Sequence, residues 1–276
     1  QVQAAHVAPA FSCLEIVDAL YHEVMRPQDI FIMSKGHGCL AQYVVLEDHD
    51  ILPRSALDSY CKFLSPNIID APPSLGAHPD YDPGIGIHAS TGSLGHGLGI
   101  AAGQALAEKI KGTGIRVYVL LSDGECQEGS TWEVAMVAAN LGLDNLVALV
   151  DCNNFGGMDR MSEVHPVLDR PDPSLQVDAS LGAKFRAFGW AAAAVDGHHS
   201  TQVARAAELP TYGQVLYGPS RPRAVVCNTT KGKGVSFMES APLWHYRSPN
   251  PEEYRKALAE LGGASSEEVA DAAQGV

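Results

Sequence analysis

The stretch from Val117 to Phe155 constrains this chain more than any other. It reads VYVLLSDGECQEG, then STWEVAMVAANLGL, then DNLVALVDCNNF. Val117 to Leu121 is an apolar, β-branched run of strand length, and it stops at Ser122-Asp123-Gly124. Ser130 to Leu141 places Trp132, Met136 and Ala139 at helical spacing, with Ser130 as the expected N-cap. Leu146 to Val150 reads as a second buried strand that stops at Asp151-Cys152-Asn153-Asn154. A strand, a crossover helix and another strand form a βαβ unit, whose strands run parallel. Asp123 and Asn153 are therefore expected side by side at the carboxyl ends of neighbouring strands. Open α/β sheets bind ligands at that edge.

The chemistry expected there is oxygen coordination. One carboxylate, one side-chain amide oxygen and a nearby backbone carbonyl are hard ligands, suited to Mg²⁺ or Ca²⁺. Mg²⁺ takes few protein ligands and completes its octahedron with water and substrate phosphates. A site with one formal charge thus expects a diphosphate or triphosphate. The plain alternative is a strand end decorated with turn-forming Asp, Gly and Asn.

SDG followed by CNN at this spacing resembles the thiamine-diphosphate fingerprint, GDG followed by N or NN. The longer string DGECQEGSTWEVAMVAANLGLDNLVALVDCNNF is similar to transketolase, especially the split transketolases built from two chains. The resemblance implies a metal (Mg²⁺ or Ca²⁺) held by the side chains of Asp123 and Asn153 and the main-chain carbonyl of Phe155. It implies that the Gly124 N–H meets the diphosphate of thiamine diphosphate. Ser122 stands where the family has Gly, and Asn154-Phe155-Gly156-Gly157 is richer in glycine than the family pattern.

With 276 residues, 46% of them hydrophobic, the chain can bury one large core. The expected fold class is α/β, an open, mostly parallel sheet with helices on both faces, spanning residues 1–261 as one thiamine-diphosphate-binding domain. From Gly262 the sequence is small and polar, read as a flexible tail over 262–276. The formal charge of −13 argues against nucleic acid or an anionic membrane as partner. No run of 18 apolar residues suggests a membrane span, and no signal peptide is visible. Six cysteines without a C-x-x-C read as reduced thiols in a cytoplasmic protein.

Along the chain, Phe11, Leu14, Val17, Leu20, Tyr21 and Val24 mark one face of a first helix closed by Pro27. His6 precedes it. By resemblance to the GHxGxxxS segment, His6 lies in the substrate channel, with Ala5 in place of Gly. Phe31-Ile32-Met33 is a short buried run before Ser34-Lys35-Gly36-His37-Gly38 and a helix from about Cys39. SKGHG resembles the family's SNGHG, which implies that His37 contacts the cofactor diphosphate. Residues 65–90 read as a long loop. In it Gly76-Ala77-His78-Pro79-Asp80 resembles GHPE, which assigns His78 to the donor's hydroxyl and carbonyl. Gly97-Leu98-Gly99-Ile100-Ala101-Ala102 matches a dinucleotide pattern, but no clean strand precedes it. TGSLGHG resembles TGPLGQG instead, with the Gly92 main chain on the aminopyrimidine and Leu94 near the thiazolium.

Gly156 to Ser180 reads as irregular. Trp190 to Val195 reads as a buried strand ending in Asp196-Gly197-His198-His199. It resembles the family's DGH, which puts His198 near the diphosphate and reaction centre. Adjacent His198 and His199 are not expected to share a metal, since neighbours on a strand face opposite ways. Residues 200–209 read as a helix and Ala224–Asn228 as a strand, followed by TTKGKG, like the family's TxKGKG. Trp244-His245-Tyr246-Arg247 has Tyr246 where the family's WHGK has Gly. Asn250-Pro251-Glu252-Glu253 opens a last helix with N-cap, N1 proline and first-turn acids in order.

The resemblance therefore implies the cofactor-binding subunit of a two-chain transketolase-like transferase. Its reaction moves a two-carbon ketol unit from a ketose donor to an aldehyde-like acceptor, with His6, His78 and His198 as proton carriers. The partner subunit would carry the pyrimidine-binding and C-terminal domains, including the glutamate that activates the cofactor. This chain is then inactive alone and part of an α₂β₂ assembly, with Glu128 and Glu133 at the interface. A deoxyxylulose-phosphate synthase-like or dehydrogenase E1-like component would share the strand-end site. A non-catalytic regulatory subunit is the remaining alternative.

Overall fold

The computed structural model describes residues 6–62, 75–157, 159–164, 177–208 and 220–262. The tail read over 262–276 lies outside the described residues from 263 on, as do Ala5 and residues 65–74 of the loop read over 65–90. In chain order the elements begin with α1 (Val7–Ala19), β1 (Ile30–Met33), α2 (Cys39–Asp48) and a short α3 (Arg54–Leu57). There follow α4 (Gly97–Lys111), β2 (Val117–Ser122), α5 (Gly129–Asn140) and β3 (Leu146–Cys152). A two-residue hairpin, β4 (Phe155–Gly156) with β5 (Asp159–Arg160), leads to α6 (Met161–Val164) and α7 (Val177–Ala187). The described chain ends with β6 (Ala191–Asp196), α8 (Ser200–Glu208), β7 (Arg223–Asn228) and α9 (Pro251–Glu260).

Five strands pair in the order β1-β2-β3-β7-β6, and every pairing is parallel. All residues of β2 and β3 are buried, which is why both read as unbroken apolar runs: parallel sheets are covered on both faces. Alternate strand residues feed two cores. Val117, Val119, Leu121, Ala148 and Val150 pack under Leu98, Ala101 and Ala105 of α4, Ala135 and Ala138 of α5, and Phe185 of α7. Tyr118, Leu120, Val147 and Leu149 pack on the other side, against Cys13, Ile16 and Val17 of α1 and Val203 and Ala207 of α8. The fold is the open parallel sheet with helices on both faces that the sequence indicates.

Four local readings change. The N-cap of α5 is Glu128 rather than Ser130, because the Ser130 hydroxyl reaches across to donate to the Gly95 carbonyl at 2.8 Å. β6 is an edge strand of the sheet, and its Ala193 and Ala194 are exposed, so it is not a buried strand. The span read as irregular up to Ser180 already contains the start of α7. In α1 the buried stripe is Cys13, Ile16 and Val17, continued by Leu20 just past its end, with Phe11 and Leu14 half-buried beside it. The last helix has the expected start: Asn250 accepts from the N–H groups of Glu252 and Glu253, and the Glu253 carboxylate accepts the Asn250 N–H.

Candidate active site

β1, β2, β3 and β7 all deliver their carboxyl ends to one side of the sheet, and a cavity of about 200 Å³ opens there. Ser122, Gly124, Asn153 and Phe155 line its floor, straight off β2 and β3. His6, His37, His78 and His245 line its walls, each from a different loop. Gly92 and Leu94 line it as well, along with Lys231. The cavity thus gathers His6, His37, His78, Gly92, Leu94, Gly124, Asn153 and Phe155 from the residues the sequence singles out. His198 does not line it, and Asp123 lies just beneath the floor, buried.

The floor is an oxygen-donor site. Asp123 extends β2 by one bond, its N–H donating to the Asp151 carbonyl at 3.2 Å. Its carboxylate accepts main-chain N–H groups from Gly124 (2.8 Å) and Asn154 (2.6 Å). Asn154 takes a positive φ of 64°, a conformation asparagine tolerates better than most residues, and so turns the chain under Asp123. Burial, followed by the carboxylate of Asp151, pushes Asp123 up to about 7. The two N–H donors and Lys35 offset this only in part. The Phe155 carbonyl sits beside Gly124, where a Cβ would come within 3.4 Å of that oxygen. Asn153 Oδ1 accepts one N–H, from Phe155 at 3.1 Å, and keeps a second lone pair. Among the described residues no group of three His, Cys, Asp or Glu is arranged to hold a metal. A cation here must draw on one carboxylate, one amide and one carbonyl, and these residues fit a hard divalent ion. The Gly124 N–H, expected on a diphosphate, is turned onto its neighbour's carboxylate, the nearest strong acceptor.

The wall is a cluster of imidazoles. His6 lies 5.6 Å from His37, 5.7 Å from His78 and 5.3 Å from His245, between ring centroids. The loops bearing His37 and His78 meet because Gly36 and Gly92 lack side chains. A Cβ at Gly36 would come within 2.9 Å of the Gly92 main chain, and one at Gly92 within 2.9 Å of the His78 ring. Buried Tyr43 donates to the carbonyls of Gly76 or His78, 3.2 Å from each, and so fixes the His78 loop. Burial lowers the pKa of His6, His37 and His245, aided by the surrounding imidazoles and lysines; His245 falls to about 4. All three are neutral at pH 7.

Two residues that carry no role in the sequence motifs complete this wall. Lys231 is buried, and its ammonium donates to the Gly157 carbonyl at 2.8 Å and to His245 Nδ1 at 2.7 Å. Burial, then Lys35, lowers Lys231 to about 8, and the ammonium lies 4.9 Å from the Phe155 ring centre. Because Lys231 occupies Nδ1, His245 carries its proton on Nε2. His6 is the reverse: its Nδ1–H donates to the His245 carbonyl at 2.8 Å, which leaves Nε2 as a lone pair. The wall therefore holds one imidazole set to accept a proton and one set to donate. TTKGKG and the Trp-His pair were the visible signals, but their meeting is a tertiary fact. Tyr246 projects from the same turn, exposed, with its ring 4.6 Å from His6.

His198 lies outside the cavity lining. Its Nε2 accepts the Thr230 N–H at 2.8 Å and its Nδ1 donates to Glu15 at 3.1 Å. Both nitrogens are used, so His198 clasps the Lys231 loop to α1, and His199 is exposed. Glu128 and Glu133 are both exposed, beside Met136 and Val137, which are exposed too. Trp132 is not part of that surface: it stacks on Phe188 at 5.5 Å and donates to the Cys126 carbonyl at 2.8 Å. Gly97–Ala102 follows a turn, not a strand, so the dinucleotide pattern has no βα setting.

Residues 6–264 match the model of the family described as transketolase, thiamine diphosphate binding domain. The chain belongs to the transketolase family. It is 34% identical to one of the named subunits of the apulose-4-phosphate transketolase of Phocaeicola vulgatus, over 95% of this chain and 87% of that one. It is 32% identical to the SqwG subunit of the 6-deoxy-6-sulfo-D-fructose transketolase of a Clostridium species, over 93% of this chain and 88% of that one. Among solved structures, transketolase from Leishmania mexicana superposes with a TM-score of 0.67 at 21% identity, covering 95% of this chain. The chain spans 42% of that transketolase. Thiamine diphosphate is thus the cofactor of the domain this transketolase chain provides. No helix among the described residues is long and apolar enough to cross a membrane.

Proposed function

We propose that this chain is the cofactor-binding subunit of a two-chain transketolase-type transferase, with the cavity at the strand ends as its active site. The observation that carries this is the pairing of an oxygen-donor floor with an imidazole wall in one cavity. Asp123, Asn153 and the Phe155 carbonyl would hold Mg²⁺ (Ca²⁺ has the same donor preference), which neutralises both the buried carboxylate and a diphosphate. His37 would face the diphosphate, and Gly92 and Leu94 the aminopyrimidine and thiazolium. When bound, thiamine diphosphate supplies the nucleophilic carbon that breaks and makes the bond beside a ketose carbonyl.

The chain's own residues then manage protons and water. His6 Nε2 accepts a proton from a donor hydroxyl, and His245 Nε2–H donates to a carbonyl oxygen as it gains charge. Lys231 fixes that tautomer and keeps the local potential positive. His78 meets the donor's hydroxyl and carbonyl. The relatives named as single subunits of transketolases support a partner chain that supplies the remaining domains. Glu128, Glu133 and the exposed Met136 and Val137 form the surface that meets it, in an α₂β₂ assembly in the cytoplasm. Domain 1–261 is then one functional unit, with ketose and aldehyde substrates entering past Tyr246.

Ketol transfer from a ketose to an aldehyde, assayed with thiamine diphosphate and Mg²⁺, tests this. The expected result is turnover with a partner chain carrying a pyrimidine-binding domain and none with this chain alone. Turnover by the chain alone contradicts the two-subunit reading. Cofactor binding without turnover under any partner favours a regulatory subunit.

A further inference from the structure

Beneath the floor lies an ion pair that the site above does not use. Lys35 and Asp151 contact each other with both side chains fully buried. Every acceptor position of Asp151 is committed. Its Oδ1 accepts from Ser12 Oγ at 2.8 Å and from Thr229 Oγ1; its Oδ2 accepts from Lys35 Nζ and from Asn153 Nδ2 at 3.2 Å. Lys35 also donates to the Pro9 carbonyl at 3.1 Å, and Asn153 Nδ2 also donates to Ser12 Oγ at 3.0 Å.

We propose that Ser12, Lys35 and Asp151 form a positioning network for the Asn153 amide, which fixes its oxygen toward the cation site. This rests on the reading of Asn153 as a metal ligand. Both hydrogens of the Asn153 amide are taken from below, one by Asp151 and one by Ser12. Flipping the amide would set its oxygen against two acceptors and its NH₂ against the Phe155 N–H, which now donates to Oδ1. The network therefore selects one of two amide orientations, the one that presents oxygen. Lys35 is the buried counter-charge to Asp151, and removing either partner would leave the other without its pair. The pair draws on three further segments: α1 through Pro9 and Ser12, the turn after β1 through Lys35, and the turn after β7 through Thr229.

Thr229 gives the control. Thr229 and Ser12 each supply one hydroxyl to the same oxygen of Asp151 and lie 3.2 Å from each other, but of the two only Ser12 also holds Asn153. The experiment titrates Mg²⁺ into the full chain at saturating thiamine diphosphate by calorimetry, with thermal melting as the check on folding. Loss of an outer partner of a metal ligand typically costs 10–100-fold in affinity. Ser12→Ala is expected to lose roughly 10-fold in Mg²⁺ affinity and Asp151→Asn roughly 100-fold. Thr229→Val is expected to stay within about threefold of the parent chain, below that range. If Asp151→Asn does not fold, the contrast between Ser12→Ala and Thr229→Val decides. Equal losses in those two, or no loss in Ser12→Ala, overturn the positioning role while leaving the metal site standing. A parent chain that binds no Mg²⁺ overturns the metal-site reading, and this proposal with it.

Discussion

The floor and the wall of the cavity were built in different ways. The floor comes from one βαβ unit, and Asp123, Asn153 and Phe155 follow directly from where two adjacent strands end. The wall comes from loops far apart in the chain: the His6 ring donates to the His245 carbonyl, and Lys231 ties His245 to the Gly157 carbonyl. A floor of this kind is set by secondary structure and tolerates loop variation. The wall depends on several loops packing at once, including the close approach of Gly36 to Gly92. On the proposed reading, metal binding falls to the rigid part of the fold, and proton chemistry to the adjustable part.

If this division is right, substitutions in the two regions should fail differently. Asp123→Ala is expected to abolish Mg²⁺-dependent binding of thiamine diphosphate while the melting temperature stays near that of the parent, since a buried carboxylate whose burial is only partly offset is removed. Undiminished cofactor affinity by calorimetry would break the assignment of the floor. His245→Gln is expected to lower turnover of the assembled enzyme roughly 10²–10⁴-fold, the usual range for a positioned acid or base, with cofactor affinity little changed. His78→Ala should fall at the lower end of that range. A large loss of cofactor affinity in either would move that residue from the wall to the floor.

His198→Ala should behave as neither. It removes the clasp between Glu15 and the Thr230 N–H, and a loss of roughly 1–2 kcal/mol in stability by denaturant titration is expected. A drop in turnover as deep as that of His245→Gln, at unchanged stability, would restore His198 to the catalytic set.

The smallest effect concerns pH. His37 is held well below its ordinary pKa of 6.5 by burial first, then by Lys35, His245, His6 and Lys231. As pH falls below that ordinary value, the unfolded chain takes up the proton and the folded chain resists it. The stability from neutral His37 is thus full above 6.5 and is lost as pH falls toward the lowered folded value. The drop in melting temperature between about pH 7.5 and about pH 5 should be smaller in His37→Gln than in the parent. An equal drop would show that His37 is not buried in this way.

The same contrast explains what could be read from the sequence. The sheet, its parallel sense and the floor were legible because β2 and β3 carry continuous apolar runs with polar residues only at their ends. The capping of α9 was legible because Asn-Pro-Glu-Glu specifies it within four residues. The cap of α5 was not, since Ser130 is diverted by a contact with Gly95, remote in sequence. The outer position of β6 was hidden for a related reason. A run of alanines suits a buried strand and an exposed edge equally well. His198 and His245 differ only in which loop each packs against, and no local pattern distinguishes a clasp from a proton donor. The family resemblance singled out His198; in the structure His245 and Lys231 line the cavity, and His198 joins Glu15 to the Thr230 N–H.

The central claim is that the strand-end floor binds a diphosphate through a divalent cation. The most direct measurement is calorimetric titration of thiamine diphosphate into the full chain with Mg²⁺ and again with the metal chelated, using unphosphorylated thiamine as the comparison ligand. Saturable binding of the diphosphate with Mg²⁺, lost on chelation and absent for thiamine, is the expected result. Equal binding of thiamine and thiamine diphosphate, indifferent to chelation, would contradict the account.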